Sequence, residues 1–264
     1  MKNNHSKNIC NYLLAIVSTA CIFATSCTNK NVNANNDSEN QYIVGAYADY
    51  RSLDDEDRQL FESTCTHKSK LTPQSVATQV VAGTNYKFIC TDDSENIVKV
   101  VIFKPLPDQG EPKELSIEPE TEYDKIIASV KKGFEDEWQS KTPEDLGVSY
   151  IYQYKSPSMG YAKKDINEDG IYELILGDSM SGNYAIYDIF TYDTEAGKVK
   201  HIFCGGERDR CVFNGSGVIC RSGSNSASDS FTKYYKIEDG ELMELKDTAV
   251  QEDLLIIDLE PFKK

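Results

Sequence analysis

The sequence is poor in the residues that carry most enzymatic chemistry. It has three histidines in 264 residues. No Gly-x-Ser-x-Gly elbow, phosphate loop or dinucleotide fingerprint occurs in it. Cys65-Thr66-His67 is read as a chance adjacency on a short helix rather than a nucleophilic dyad. No Cys-x-x-Cys pair or His-rich tract suggests zinc. Basic residues are also scarce, 28 against 43 acidic, for a formal charge of −15. That balance opposes binding to nucleic acid or anionic headgroups and favours basic partners. The chain therefore reads as a binding protein, not an enzyme, and no nucleic acid is expected as a partner.

Long apolar runs are missing too, with one short exception at the N-terminus. Lys2 and Lys7 precede an apolar stretch from Tyr12 to Ala24, too short to span a bilayer. It ends at Ala24-Thr25-Ser26-Cys27, which resembles the cleavage box of bacterial lipoproteins. The resemblance implies that residues 1–26 are a signal peptide, that Cys27 is lipidated, and that the protein is anchored in a bacterial cell envelope. Ser18-Thr19-Ala20-Cys21 is a second candidate box, but cutting there leaves an apolar Ile22-Phe23 overhang. Residues 27–41 are Asn-rich without an apolar pattern and read as a flexible tether. Lipidation of Cys27 would leave Cys65, Cys90, Cys204, Cys211 and Cys220. That odd number makes no obvious disulfide framework.

Residues 42–118 read as a first domain. Ser52-Leu53-Asp54-Asp55-Glu56-Asp57 can cap a helix and suits its dipole. Leu53, Leu60, Phe61, Thr64 and Cys65 then share one helical face, and Pro73 bars continuation. From Gln74 the pattern is strand-like through Cys90, turns at Asp92–Asn96, and resumes over Ile97–Lys104. Pro105 to Gly110 must be a loop, since two prolines in three residues deny ladder donors, and Lys113–Ile117 adds a last strand. One helix followed by an antiparallel meander is an α+β arrangement, with the sheet expected to wrap the helix.

Thr78-Gln79-Val80-Val81-Ala82-Gly83-Thr84-Asn85-Tyr86 resembles the central protease-binding hairpin of the cystatins. Phe103-Lys104-Pro105-Leu106-Pro107 is similar to their second binding hairpin, in its stefin-like Leu-Pro form, and Gly45 sits where the family has its N-terminal binding glycine. The resemblance implies a reversible inhibitor of papain-like cysteine proteases, needing no cofactor, that fills the active-site cleft with a wedge. Its protease-binding residues would be Val44, Gly45, Gln79, Val80, Val81, Ala82, Gly83, Leu106 and Pro107. Two features depart from the family. Ala46 replaces the second glycine of many relatives, and the helix is short. Cys65 and Cys90 do not match the disulfide positions of secreted animal cystatins; they either face each other across the core or pack there as small apolar groups.

Residues 119–264 read as a second α+β domain of one helix and mostly antiparallel strands. Tyr123, Ile126, Ile127, Val130, Phe134 and Trp138 recur at helical spacing, predicting a helix over 121–138 with a buried face. Strands are expected over Tyr150–Tyr154, Ile171–Leu176, Tyr184–Tyr192, Lys198–Phe203, Val218–Arg221, Tyr234–Ile237 and Glu241–Leu245. Asp239-Gly240 is a strong hairpin signal. The sharpest motif is Asp165-Ile166-Asn167-Glu168-Asp169-Gly170-Ile171-Tyr172-Glu173. Oxygen donors at alternate positions around a turning glycine suit calcium, which Asp165, Asn167, Asp169, the Ile171 carbonyl and Glu173 would ligate. Leu176 at the twelfth position excludes an EF-hand. A hairpin turn bonded to its own backbone would carry the same residues. The segment Gly160–Asp178 with Gly205-Gly206-Glu207-Arg208 also resembles an uncharacterised domain of bacterial exported proteins, which implies no activity. A non-catalytic, calcium-dependent binding protein with a cystatin scaffold is the alternative to a protease inhibitor.

Overall fold

The computed structural model describes residues 45–179, 185–226, 228–246 and 254–263. Cys27, the tether and Val44 lie outside the described residues. The described chain is mixed α+β, with two α-helices and mostly antiparallel sheets.

The first part runs Arg51–Ser52 (β1), Asp55–Thr64 (α1), Thr72–Val81 (β2), Gly83–Thr91 (β3), Ile97–Lys104 (β4) and Lys113–Glu118 (β5). The strands form one meander in the order β1-β2-β3-β4-β5. Helix α1 starts where its capping chemistry dictates. The Asp54 side chain accepts from the Asp57 N–H, and the Asp57 carboxylate accepts from the Asp54 N–H. The helix ends at Thr64 with Cys65 extended, so Pro73 is not its terminator. Pro73 instead lies in β2, beside a register irregularity between Pro73 and Ser75 that accommodates its missing N–H. Leu60, Phe61 and Cys65 bury against Val76, Phe88, Val98, Val100, Ile102 and Ile117. Phe61 meets Phe88 edge-on, with ring centroids 5.1 Å apart. Along β4, Val98, Val100 and Ile102 are buried, while Lys99, Val101 and Phe103 between them are only partly so.

The second part begins with Glu120–Glu135 (α2), followed by Met159–Lys164 (β6), Glu173–Asp178 (β7), Ala185–Asp193 (β8), Lys198–Cys204 (β9) and Asp209–Asn214 (β10). Ile219–Ser226 (β11), Asp229–Glu238 (β12), Glu241–Glu244 (β13), Leu254–Leu255 (β14) and Glu260–Pro261 (β15) complete it. The sheet order is β13-β12-β11-β10-β8-β7-β6-β15, with β9 also on β8 and β14 on β10. α2 covers one face through Tyr123, Ile127, Val130 and Phe134. It stops at Glu135, short of the expected Trp138. Glu137 and Trp138 take positive φ, which folds the indole back against Gly133.

Tyr150–Tyr154 forms a 3-10 helix rather than the expected strand. Its alternating aromatics resemble a strand, but the Ser149 side chain accepts from the Ile151 N–H and Lys155 closes the turn in the left-handed region. The Trp138 indole N–H also takes the Tyr152 carbonyl at 3.1 Å, an acceptor that a ladder would need. The Asp239-Gly240 signal holds: φ values of 52° and 68° set the tight turn between β12 and β13.

The two sheets meet along a seam. Ile117 of β5 bridges Ile171 in parallel, donating to the Gly170 carbonyl at 2.7 Å and accepting from Tyr172 at 3.0 Å. Tyr192 of β8 is buried in the first core.

Candidate functional site

Three segments distant in sequence converge at one end of the five-stranded sheet. β2 and β3 pair to the tip, Gln79 with Asn85, Val80 with Thr84 and Val81 with Gly83, leaving Ala82 at the turn. The segment before β1 runs alongside β2, where the Ala48 N–H donates to the Thr78 carbonyl at 2.8 Å. It reaches the hairpin at Gly45. The Asn85 amide donates to Gln79 Oε1 at 2.9 Å, and Gln79 Nε2 donates to the Gly45 carbonyl at 2.6 Å. Two side chains of one hairpin thus hold the N-terminal glycine in place.

The loop after β4 joins them because Thr84 pairs with Lys104. Gly83 makes the approach feasible. Its φ is +138°, and a Cβ there would lie 2.6 Å from the Phe103 ring and 2.7 Å from the Lys104 carbonyl. Beyond Lys104, Leu106 opens a turn in which its carbonyl accepts from the Gln109 N–H at 3.1 Å. The apolar side chains at this end face water: Val80 is 77% exposed, Val81 45% and Leu106 48%. Pro107 is exposed as well. The structure thus brings together Gly45, Gln79, Val80, Val81, Ala82, Gly83, Leu106 and Pro107.

The Asp165–Glu173 segment is a compact turn between β6 and β7. Asp165 Oδ2 accepts from the Gly170 N–H, Asp169 Oδ1 from the Ile171 N–H, and Asp169 Oδ2 from the Asn167 amide. Asp165 Oδ1 and Asn167 Oδ1 are buried without a hydrogen bond. Burial holds the Asp165 carboxyl above the usual range; the Gly170 N–H opposes this and repulsion from Asp169 adds to it. Glu173 points inward. Its two oxygens accept from the Ile166 N–H at 3.0 Å and the Thr191 hydroxyl at 2.9 Å, and burial pushes its carboxyl up to about 8.

Cys65, Cys90, Cys204 and Cys211 are free thiols. Cys65 and Cys90 are buried in the core of the first sheet, where burial pushes the Cys65 thiol up to about 12. A thiol so protonated is no nucleophile.

Sequence reasoning missed a further gathering of polar groups. Asp188, His201 and Cys204 meet where β8 and β9 pair. His201 and Cys204 are three positions apart, which on a regular strand would point them to opposite faces. That spacing hid the cluster.

No family model, curated protein or solved structure matches this chain.

Proposed function

We propose that this chain is a tethered inhibitor of papain-like cysteine proteases, with residues 42–118 as a cystatin-like wedge and Cys27 as its lipid anchor in the bacterial envelope. The observation that carries the reading is the convergence of Gly45, the Val80-Val81 hairpin tip and Leu106 on one end of one sheet, with their apolar side chains in water. A folded chain gains nothing by exposing neighbouring valines there, whereas a partner cleft would remove them from water at roughly 25 cal/mol per Å². Gly83 and Ala82 keep the tip slim, so its backbone can enter a narrow cleft. The prolines flanking Leu106 and the Gln79–Gly45 bond fix the shape beforehand, which lowers the entropy lost on binding. On this reading the sheet wraps α1 as in cystatins, and the wedge shields the catalytic cysteine without reacting with it.

Titration of papain with the chain from residue 28 onward tests this. Stoichiometric, reversible inhibition is expected, and Val81→Asp should abolish it by placing a charge in an apolar contact. Papain left fully active at micromolar inhibitor would end the proposal.

The buried, unbonded oxygens of Asp165 and Asn167 favour a second reading, in which the 165–173 turn binds calcium and residues 119–264 recognise a partner through it. Two oxygens with no protein donor are what a hard cation would satisfy. The expected result is a calcium-dependent rise in melting temperature, about 2.7 kcal/mol of stabilisation at a hundredfold excess over Kd. Asp165→Asn should reduce it, and a melting temperature indifferent to calcium would dismiss the site.

A further inference from the structure

The Asp188–His201–Cys204 cluster is built by an irregularity in strand pairing. Along β8 and β9, Asp188 pairs with Cys204 and Ile189 with Phe203, but Phe190 pairs with His201. Ile202 is therefore an extra residue on β9, a β-bulge. It rotates His201 onto the face that Cys204 occupies, the face shared by Asp188 and Phe190. Asp188 Oδ1, His201 Nε2 and Cys204 Sγ are the kinds of donor atom that meet there, and the three groups can place one ligand atom each within 4.8 Å of the others. Among the described residues this is where three such donors gather within reach of a single ion.

The donors are held rigidly from behind. Asp188 is 0% exposed, and both its oxygens accept the Ser149 N–H at 3.1 Å. The Ser149 hydroxyl donates to the Gly205 carbonyl at 2.6 Å, tying the following turn to the same segment. The His201 ring stacks on Phe190, with centroids 4.2 Å apart and planes 13° from parallel, and its Nε2 lies 2.8 Å from Asp188 Oδ1. The Ser149 and Phe190 contacts are of the outer kind that orients metal ligands in general.

The Tyr152 side chain is also wholly buried beside Asp188, and its hydroxyl interacts with the Asp188 carboxylate.

We propose that Asp188, His201 and Cys204 bind one divalent transition-metal ion of the zinc class. The set of one carboxylate oxygen, one imidazole nitrogen and one sulfur suits zinc and is wrong for calcium or magnesium, which take oxygen. Tetrahedral zinc ligands lie roughly 3.3–3.8 Å apart, given bond lengths of about 2.0–2.3 Å, so small side-chain shifts close the site. On binding, the His201 Nε2–Asp188 Oδ1 hydrogen bond opens with the imidazole proton carried on Nδ1, the Cys204 S–H bond breaks, the sulfur bonds the metal as thiolate, and the thiol proton goes to solvent. Three protein ligands leave a fourth position open. The site does not depend on the protease reading, since it lies on the other sheet.

The test is a titration of the full-length chain with zinc against a chromophoric chelator, and with cobalt read by its thiolate-to-metal charge-transfer band. One equivalent per chain is expected, with the cobalt band present, one proton released from the thiol, and no competition from excess calcium. His201→Gln and Cys204→Ser should each weaken binding by more than about 100-fold, beyond the ~10–100-fold typical of losing an outer contact. Cys204 is exposed, so metal-free Cys204→Ser should melt with the metal-free parent, whereas His201→Gln, which removes a partner of the buried Asp188 carboxylate, should melt lower. Zinc should raise the parent's melting temperature and leave theirs unmoved. Absence of stoichiometric binding, or binding that survives both substitutions, would overturn the proposal.

Discussion

Single residues set the shape of the exposed end of the first sheet, and Gly83 most of all. Its positive φ and the 2.6–2.7 Å approach of Phe103 and Lys104 leave no room for a methyl group. Gly83→Ala must either strain the backbone or push the end of β4 away, at a cost of about 1–3 kcal/mol. A lower melting temperature is expected together with weaker papain inhibition, because Leu106 follows directly from the displaced strand end. An unchanged melting temperature would show that the hairpin tip is looser than its packing implies. The neighbouring Gln79 acts differently. Its amide reaches out to Gly45 rather than into the core, so it positions a segment while contributing little to stability.

At the scale of elements, α1 owes its position to Asp57. Burial raises the Asp57 carboxyl, but the Arg51 guanidinium, bonded at 2.5 and 3.0 Å, and the Asp54 N–H outweigh it and hold it below its ordinary 3.8. A depressed folded value means stability present above the unfolded value and lost as pH falls through the folded one. Asp57→Asn should cost about 1 kcal/mol near neutral pH, because it removes the charge that the Asp54 N–H and the half-exposed, screened Arg51 stabilise while keeping an oxygen acceptor. Denaturation at pH 7 and at pH 3 checks this: the gap between parent and variant should narrow at the lower pH. The start of α1 was legible in the sequence because capping acts over three residues. Tyr150–Tyr154 was not, because what bends it is the distant Trp138 indole and a buried Asp188 that holds Ser149.

Across the whole molecule, the two sheets share more than a linker. The Ile117–Ile171 bridge joins their backbones, and Tyr192 of the second sheet is buried in the first core. The Tyr123 hydroxyl of α2 donates to the Tyr172 carbonyl beside the bridge at 2.7 Å. The described residues belong to one compact unit by their contacts. Calorimetric unfolding is therefore expected to be a single transition, with calorimetric and van't Hoff enthalpies in agreement. Two resolved transitions would mean that the seam is too weak to couple the sheets.

The sequence by itself determined what short-range chemistry controls. It specified the acidic balance, a capped helix start within Ser52–Asp57, a strand over Ile97–Lys104 and the Asp239-Gly240 turn. Each depends on residues within a few positions of one another, or on composition. Tertiary structure alone decided which distant groups meet. Only the tertiary fold brings Gly45 to Gln79 and Lys104 to Gly83. Only the bulge at Ile202 turns His201 to the side of Cys204, because strand register is a property of two strands and cannot be read from the periodicity of one.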